Sequence, residues 1–387
     1  CARERVLLKK LHKVFVSYGY EDIETPTFEY FDVFSREIGT IPSKDLYKFF
    51  DREGDTLVLR PDFTPSVARA ASRHFIEEGQ RQTVRLCYQG NTFLNSSSYQ
   101  GRPREVTEMG VEMMGDASAD SDAEVLAMMI DLLKAAGLED FQVSVGQVDF
   151  FKSLLEEAAM PSETVEELRE LISIKNHFGV EECVRRQDLS PELTAVFSEM
   201  PHFFGSMEIL GKAKTMTRNA KALAAIERLE EIYRILEMYG CSQYITFDLG
   251  MLSKYRYYTG IIFKAYTYGT GEYIVNGGRY DKLLEQFGKD VPAVGFAIVI
   301  DRLMMAMSRQ KISVDAGAVH TMVVYEQGGL NRAIALGCRL RGEGKGTVLI
   351  RKSPCKDEEA YRKQALDQGV RVLAWVSETE DALVPLR

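Results

Sequence analysis

The sequence predicts an α+β protein in which an antiparallel sheet with flanking helices is followed by a small α/β unit. A long β-hairpin is predicted over residues 85–115, because two alternating apolar runs are separated by a polar loop. Helical character dominates residues 155–235. Strands then alternate with helices over residues 318–387, which is typical of parallel pairing. We therefore expect two domains, residues 1–307 and 318–387, with the helical segment inside the first.

Composition places the chain among ordinary globular proteins. It has 387 residues, of which 45% are hydrophobic and 27% are charged. The formal net charge of −9 gives no overall electrostatic footprint for a polyanion, so tRNA is an unlikely partner.

The cysteines and the distribution of apolar residues indicate in which cellular compartment the protein is expected. The six cysteines contain no CxxC pair and the five histidines are dispersed, which favours reduced thiols in a cytoplasm over a disulfide framework or a metal site. No apolar run approaches the ~20 residues of a membrane span, and no signal-peptide pattern opens the chain. Because the first residue is Cys1 rather than Met, we expect the natural N-terminus to lie upstream.

The first predicted elements are a helix and a strand. Apolar residues at helical spacing predict a helix over Arg3–Tyr18, and Gly19 ends it. Alternation after the glycine predicts a strand that ends near Pro26, since proline confines a strand to an edge or to its end. Any α+β domain contains such units, so this pair alone says little about function.

A second hairpin and a proline-fixed loop follow. Leu46–Phe50 and Thr56–Leu59 are predicted strands, and the loop Arg60–Pro65 leads into a helix. Either Asp62 or Thr64 can cap that helix. One cap accounts for only one of the two residues, which leaves the other for a different role.

The second strand of the long hairpin carries a row of charges. Arg104, Glu108 and Glu112 are spaced by four residues, so their side chains share one face of a strand. Two carboxylates beside a guanidinium would cost several kcal/mol if they were buried unpaired. Such a row therefore indicates a polar ligand, unless the face is solvated and carries surface ion pairs.

At these residues the chain resembles a known family. The hairpin resembles the motif 2 strands and loop of class II aminoacyl-tRNA synthetases, and of histidyl-tRNA synthetase among them. Its string GRPREVTEMGVEMMG is closer still to the synthetase-like regulatory subunits of ATP phosphoribosyltransferase. The helix and strand ending at Pro26 resemble motif 1, and VPAVGFAIVIDRL resembles motif 3, with Arg302 matching the arginine that packs on ATP. The resemblance implies a class II antiparallel sheet and a homodimer built on motif 1.

The resemblance also implies an amino-acid pocket. The string LRPDFT resembles the synthetases' LRPEGT, whose acid holds the amino group of histidine, and Asp62 takes that place. The glycines of NGGRYD let the backbone approach a ligand, and a helix predicted from Tyr280 would present amide groups. Glu108 stands where the family usually has glutamine, so its role is open. The expected histidine-binding residues are Asp62, Thr64, Arg104, Glu108, Glu112, Tyr257, Tyr258, Gly277 and Gly278.

Two positions that carry arginine in histidyl-tRNA synthetases differ here. The motif 2 string FRxE reads FLNS, so Leu94 replaces one arginine. In the segment aligned on the paired tyrosines, Ser253 replaces the second arginine. Arg256 lies three residues further along, and this odd spacing would put its side chain on the opposite face of a strand. A phosphoryl centre that gathers negative charge needs guanidinium donors. We therefore expect no aminoacylation and no catalytic residues, while Arg102 and Arg302 remain candidates for a residual anion site.

A pocket that binds histidine without activating it suits a sensor. In the regulatory-subunit family, the resemblance implies a non-catalytic chain that assembles with the short-form catalytic subunit, supports its activity and carries histidine feedback on the first step of histidine biosynthesis. The expected assembly is a homodimer within a hetero-oligomer, with no cofactor, no metal and no membrane contact. An active histidyl-tRNA synthetase and another synthetase-like amino-acid-binding protein remain alternatives.

Overall fold

The computed structural model describes residues 1–35, 41–76, 83–95, 103–252, 257–314 and 319–386. The chain divides into two compact units. The larger contains Leu8–Ile312, and the smaller contains Ser313–Arg387 together with Cys1–Leu7.

The N-terminal elements include both predicted hairpins. In chain order they are α1 (Ala2–Ser17), β1 (Glu21–Asp22), β2 (Phe28–Tyr30), α2 (Asp32–Ser35), β3 (Lys48–Phe50), β4 (Thr56–Leu59), α3 (Thr64–His74), β5 (Val84–Phe93) and β6 (Glu105–Met114). The pairing of β3 with β4 and the ten-residue pairing of β5 with β6 are antiparallel, which confirms both hairpins. The strand predicted before Pro26 is shorter than expected, because only two residues of β1 pair, with β5.

The rest of the larger unit is a helical segment followed by four long or medium strands. The elements are α4 (Ala119–Ala136), β7 (Phe141–Gln147), α5 (Val148–Ala158), α6 (Ser162–Ser173), α7 (His177–Arg185), α8 (Pro191–Glu199), β8 (Phe204–Gly205), α9 (Glu208–Thr215), α10 (Ala220–Met238), β9 (Ile245–Asp248), β10 (Ile261–Thr267), β11 (Val275–Arg279), β12 (Ala293–Val299) and α11 (Ile300–Arg309). Helices occupy most of residues 155–235, and the short strand β8 (Phe204–Gly205) lies among them. Within the described ranges, no helix is both long and apolar enough to cross a bilayer.

Nine strands of the described residues form the main sheet, in the order β1-β5-β6-β12-β11-β10-β7-β9-β8. The pairs β1/β5 and β7/β9 are parallel, and the other neighbours are antiparallel. The predicted antiparallel sheet with flanking helices is thus confirmed, with two parallel pairs toward its edges.

One face of this sheet carries a buried cluster that extends to α3 and to the turn after β11. Its members are Phe63, Val67, Ala68, Ala71, Leu86, Tyr88, Met114, Met251, Tyr257, Tyr258, Ile262, Tyr280, Leu283, Leu284 and Ala293. We call this side of the sheet the pocket face. Helix α1 packs on the opposite face, where the ring of Phe15 meets that of Phe296 at a centroid distance of 6.2 Å.

A buried ion network anchors β11 to α4 on the side away from the pocket face. The Arg279 guanidinium donates from Nε to Asp122 Oδ1 (2.8 Å) and from Nη2 to the hydroxyl of Ser121 (2.8 Å). Arg228 donates to the second oxygen of Asp122 at 2.8 Å. Because both oxygens of this fully buried carboxylate are occupied, Asp122 holds β11 firmly against α4.

The smaller unit is a four-stranded sheet with two helices in its described part. Its elements are β13 (Thr321–Tyr325), α12 (Leu330–Gly342), β14 (Thr347–Arg351), α13 (Glu358–Asp367), β15 (Val372–Val376) and β16 (Asp381–Pro385). β14, β13 and β15 are parallel, as predicted. β16 adds an antiparallel edge that was not predicted, because its mostly exposed residues lack a clear apolar alternation.

Candidate functional site

The predicted carboxylate row of β6 lies partly in the core. Glu108 and Glu112 leave the strand on the same face, and Glu112 is only 1% exposed while Glu108 is partly buried. Arg104 immediately precedes the strand with an exposed side chain, ~26 Å from Glu112 by strand rise. A solvated face is therefore wrong for Glu112, and the structure does not bring Arg104 to it.

Glu112 accepts two hydrogen bonds from hydroxyl groups. Thr64 Oγ1 donates to Oε1 at 2.7 Å, and Tyr280 Oη donates to Oε2. These donors favour the ionised carboxylate, but burial outweighs them and raises the pKa of Glu112 to about 8. Gly295 lies directly across the β6/β12 pair from this residue. The carboxyl group therefore sits poised between charge states near neutral pH.

Asp62 links the loop before α3 to the paired tyrosines. Its Oδ1 accepts from the backbone N of Thr64 at 3.0 Å, and its Oδ2 accepts from Tyr257 Oη at 3.1 Å. Burial raises the pKa of Asp62 above its ordinary value. Neither predicted residue caps α3, because its N-cap is Phe63 and no side chain makes the cap hydrogen bond. Asp62 holds the backbone N of Thr64 just before the helix, and Thr64 uses its hydroxyl on Glu112. A continuous hydrogen-bonded chain runs from Tyr257 through Asp62, Thr64 and Glu112 to Tyr280.

Arg60 fixes the position of that loop. Its Nη1 donates to the carbonyl oxygens of Thr25 (2.8 Å) and Pro26 (3.2 Å), and its Nε donates to the carbonyl oxygen of Asn91 (2.9 Å). The guanidinium also lies over the ring of Phe63 at 4.0 Å. Burial lowers the pKa of Arg60. Its hydrogen bonds go to backbone carbonyls, so its charge does not neutralise the carboxylates by direct pairing.

Tyrosines surround these acidic groups on the pocket face. The rings of Tyr257 and Tyr258 meet edge to face at 4.8 Å, and Tyr280 contacts Tyr257 at 5.9 Å. Tyr88 stacks on Phe63 at 4.4 Å. Its hydroxyl is buried close to Thr64 and Glu112, and it makes no hydrogen bond of good geometry within the described part of the chain. A ligand atom placed there would satisfy it.

Glu108 is the third acidic group of the site. Burial, together with the carboxylate of Asp62, raises the pKa of Glu108 to about 8, although the cations Arg302 and Arg60 act in the opposite direction. Three acidic groups, Asp62, Glu108 and Glu112, therefore share one environment. Such a pocket favours a ligand that brings a positive charge and aromatic or polar surface.

Gly277 and Gly278 lie in β11, between β10 and β12, where neighbouring side chains occupy the space of a β-carbon. A β-carbon on Gly277 would lie 2.6 Å from the ring of Phe263, and one on Gly278 would lie 2.8 Å from the ring of Tyr258. The absent side chain of Gly278 thus makes room for Tyr258 on the pocket face, whereas Gly277 faces the other side of the sheet with Phe263. Contact of their backbone with a ligand stays a prediction.

The helix predicted from Tyr280 is wrong. The backbone N of Tyr280 donates to Ala293 O at 2.7 Å, which prolongs the strand pairing. A turn and the short 3₁₀ helix Leu284–Phe287 follow, ended by Gly288 with φ of 84°. Tyr257 and Tyr258 lie just before β10. Pairing with β12 overrides the local helical pattern.

The candidate anion site is only partly described. Arg302, on α11, pairs with Glu272, donates to the carbonyl oxygen of Tyr273 at 2.8 Å and stacks on that ring at 4.7 Å. Arg102, Ser253 and Arg256 lie outside the described residues. Leu94 follows the end of β5 and is 38% exposed.

Two pocket residues escaped the sequence-based site prediction. Tyr280 and Tyr88 both point to the pocket face, Tyr280 beside Glu112 and Tyr88 against Phe63. Alternation along the strands was the available signal, since Tyr88 is two residues from Leu86 and Tyr280 is two residues from Gly278. The mistaken helix assignment hid the second of them.

Comparison with known proteins identifies the family. The family described as histidyl-tRNA synthetase matches residues 1–303. The ATP phosphoribosyltransferase regulatory subunit of Ruminiclostridium cellulolyticum is 42% identical over 374 residues, which cover 97% of this chain and 86% of that protein. The chain belongs to the family of ATP phosphoribosyltransferase regulatory subunits, within the histidyl-tRNA synthetase-like proteins.

Solved structures agree with this family and its fold. An ATP phosphoribosyltransferase regulatory subunit/histidyl-tRNA synthetase from Bacillus halodurans C superposes with a TM-score of 0.83 at 30% identity, covering 98% of this chain and 95% of that one. A histidyl-tRNA synthetase from Nostoc sp. PCC 7120 gives a TM-score of 0.80 at 18% identity, covering 99% and 93%. The second likeness concerns the fold alone, and it confirms the class II synthetase-like architecture.

Proposed function

We propose that this chain is a non-catalytic regulatory subunit that binds free histidine and carries histidine feedback to a short-form ATP phosphoribosyltransferase catalytic subunit. That catalytic subunit would need the chain for activity in the first step of histidine biosynthesis. The domain of residues 1–307 would hold the ligand, residues 318–387 would form a separate domain, and the complex would act in the cytoplasm.

The hydrogen-bonded chain from Tyr257 to Tyr280 is the observation that carries the proposal. The Asp62 carboxylate lies 3.0 Å from the backbone N of Thr64 and 3.1 Å from Tyr257 Oη. The Glu112 carboxylate lies 2.7 Å from Thr64 Oγ1. The ammonium group of an amino acid would meet these acids, while an imidazole ring would rest against the tyrosines. Polar groups at the pocket floor, including the Tyr88 hydroxyl, would hydrogen-bond the ring nitrogens.

Loss of adenylation follows from residue type. Leu94 carries no hydrogen-bond donor, and Ser253 offers one hydroxyl where a guanidinium would bind a phosphate with two parallel bonds. Removing one comparable donor lowers rates by ~10²–10³. Two such replacements would leave a histidine pocket that does not activate its ligand.

Feedback requires histidine to distinguish two states of the assembly. A ligand with equal affinity for both states shifts nothing, so histidine must bind the inhibited state more tightly. A coupling free energy of ~1–3 kcal/mol is usual for such links. In this proposal the chain forms a homodimer, through α1 and the strands leading to Pro26, within a hetero-oligomer.

Calorimetry with histidine tests the site, and enzyme assays of the reconstituted complex test the coupling. Glu112→Ala should weaken histidine binding by about 1.5–3 kcal/mol, which is roughly 10- to 150-fold. Glu105→Ala is the matched control, since Glu105 is exposed on the same strand. Unchanged affinity in Glu112→Ala would remove the site assignment. Wild-type feedback from a complex whose regulatory pocket no longer binds histidine would place the sensor on the catalytic subunit.

An active histidyl-tRNA synthetase is the second candidate, because the matched family of residues 1–303 is named for that enzyme. Affinity purification from the native host separates the two. Recovery of a short phosphoribosyltransferase chain supports the regulatory proposal, whereas recovery of tRNA supports the synthetase.

A further inference from the structure

Three potential metal ligands converge at the edge of the main sheet, away from the pocket face. His12 Nε2 lies 2.8 Å from Asp22 Oδ1 and 3.0 Å from Asp22 Oδ2. Cys87 Sγ lies 3.5 Å from Asp22 Oδ1, and one ligand atom from each residue falls within 4.8 Å of the others. An imidazole, a carboxylate and a thiol thus meet at one point.

Regular structure holds all three residues. His12 belongs to α1, and the turn after that helix passes through Gly19, whose φ of 78° brings the chain back to β1. Asp22 is the register partner of Cys87 in the parallel β1/β5 pair, and Ile23 N donates to Cys87 O at 2.8 Å. The donors are therefore positioned by a helix and two paired strands rather than by loops.

The donor set matches one class of cation. Imidazole nitrogen, thiolate sulfur and carboxylate oxygen together are typical ligands of Zn²⁺ and of its substitute Co²⁺. Ligands held 2.0–2.3 Å from a tetrahedral ion lie ~3.3–3.8 Å apart, so only small shifts are needed here. Cys87 is buried and the Asp22 side chain is 72% exposed in the single chain, which leaves the fourth position accessible to water there.

The geometry points to a three-ligand zinc-type site formed by His12, Asp22 and Cys87. Sequence spacing predicted no metal, because the three donors come from separate segments that only the fold brings together. The ion would tie α1 to the edge of the sheet. Cys87 and its neighbour Tyr88 project to opposite faces of β5, so the metal would stabilise the scaffold without entering the pocket.

A simpler arrangement uses the same atoms without a metal. His12 and Asp22 would form a surface ion pair, and the Cys87 thiol would donate weakly to the carboxylate. An ion pair of this exposure contributes ~0–1 kcal/mol. Metal titration distinguishes the two arrangements directly.

The test is a Co²⁺ titration of the full chain, followed by competition with Zn²⁺. The exposed cysteines Cys1, Cys338 and Cys355 are first replaced by serine, so that they do not contribute thiolate signals. In this parent protein we expect one equivalent of Co²⁺, a sulfur-to-cobalt charge-transfer band and the visible bands of four-coordinate cobalt. Zn²⁺ should displace the ion and raise the thermal midpoint of unfolding.

Two ligand variants and two controls decide the outcome. Cys87→Ser should abolish the charge-transfer band, and His12→Gln should weaken binding at least tenfold, since even indirect partners change metal affinity by ~10–100-fold. Cys241→Ser, at another buried cysteine, and His74→Gln should leave the spectrum unchanged. Circular dichroism verifies that each variant folds. Because His12 is partly exposed, we expect His12→Gln to stay folded and to test the site even if Cys87→Ser unfolds. Binding without a thiolate band, or affinity unaffected by His12→Gln, would overturn the site in favour of an ion pair.

Discussion

Gly295 and Glu112 face each other across the β6/β12 pair, and a β-carbon on Gly295 would overlap with Glu112 Oε2. Gly295→Ala should therefore displace the carboxylate from Thr64 and Tyr280, and lower both stability and histidine affinity. Overpacking of this kind typically costs ~1–3 kcal/mol. Thermal unfolding and calorimetry measure the two effects. Gly211→Ala is the control, because no atom lies within 4 Å of the added carbon there. Similar behaviour of both variants would show that Glu112 tolerates displacement.

The buried carboxyl group of Glu112 should make stability depend on pH. Its folded pKa of about 8 exceeds the ordinary 4.5, so the folded protein binds a proton that the unfolded chain has released. The contribution to the free energy of unfolding is complete below pH 4.5 and is lost as pH rises through about 8. Glu112→Gln should flatten this fall. Denaturant midpoints measured across that pH range give the change of stability with pH. Glu105→Gln is the control. The two variants must differ in this pH dependence if Glu112 is its source.

Histidine binding should release protons from the pocket below pH 8. A ligand ammonium favours the ionised forms of Glu108 and Glu112, whose pKa values are about 8 in the folded protein. Observed binding enthalpies should therefore vary with the ionisation enthalpy of the buffer, and vary less in Glu112→Gln. Enthalpies that are independent of the buffer would mean that histidine binding changes the protonation of neither group.

The purified chain should catalyse no histidine-dependent exchange of pyrophosphate into ATP if, as we propose, Leu94 and Ser253 stand where histidyl-tRNA synthetases carry two guanidinium donors. An active histidyl-tRNA synthetase assayed under the same conditions is the control. Robust exchange would restore the synthetase interpretation.

The ion network behind the pocket should be important for stability. Arg279→Met leaves the carboxylate of Asp122 buried with only Arg228 as a charged partner, and breaking such a pair typically costs about 3–5 kcal/mol. Lys221→Met, at the exposed Lys221–Glu156 pair, should change the denaturant midpoint far less. Equal effects would mean that the network contributes no more than a surface pair.

Local sequence patterns predicted most helices and strands of the scaffold. The contacts of the site depend on how the strands pair, which those patterns do not specify. Period-two spacing placed Glu108 and Glu112 on one face, and the loop string placed Asp62 near them. The contact of Tyr280 with Glu112 depends on β11 and β12 pairing, which no local signal in the sequence specifies. The proximity of His12 to Cys87 was likewise not predictable from local patterns, because it depends on the pairing of β1 with β5.

Arg60 has a consequence for how the assembly would respond to its ligand. The Arg60 guanidinium donates hydrogen bonds to the carbonyl groups of Thr25 and Pro26. The backbone of Arg60 begins the loop that carries Asp62. In the proposed dimer, the segment at Pro26 adjoins the subunit interface, so one side chain spans interface and pocket. Linkage is reciprocal: if histidine alters this segment, then dilution of the dimer must alter histidine affinity by the same factor. Protein concentration would then act as an effector of the sensor.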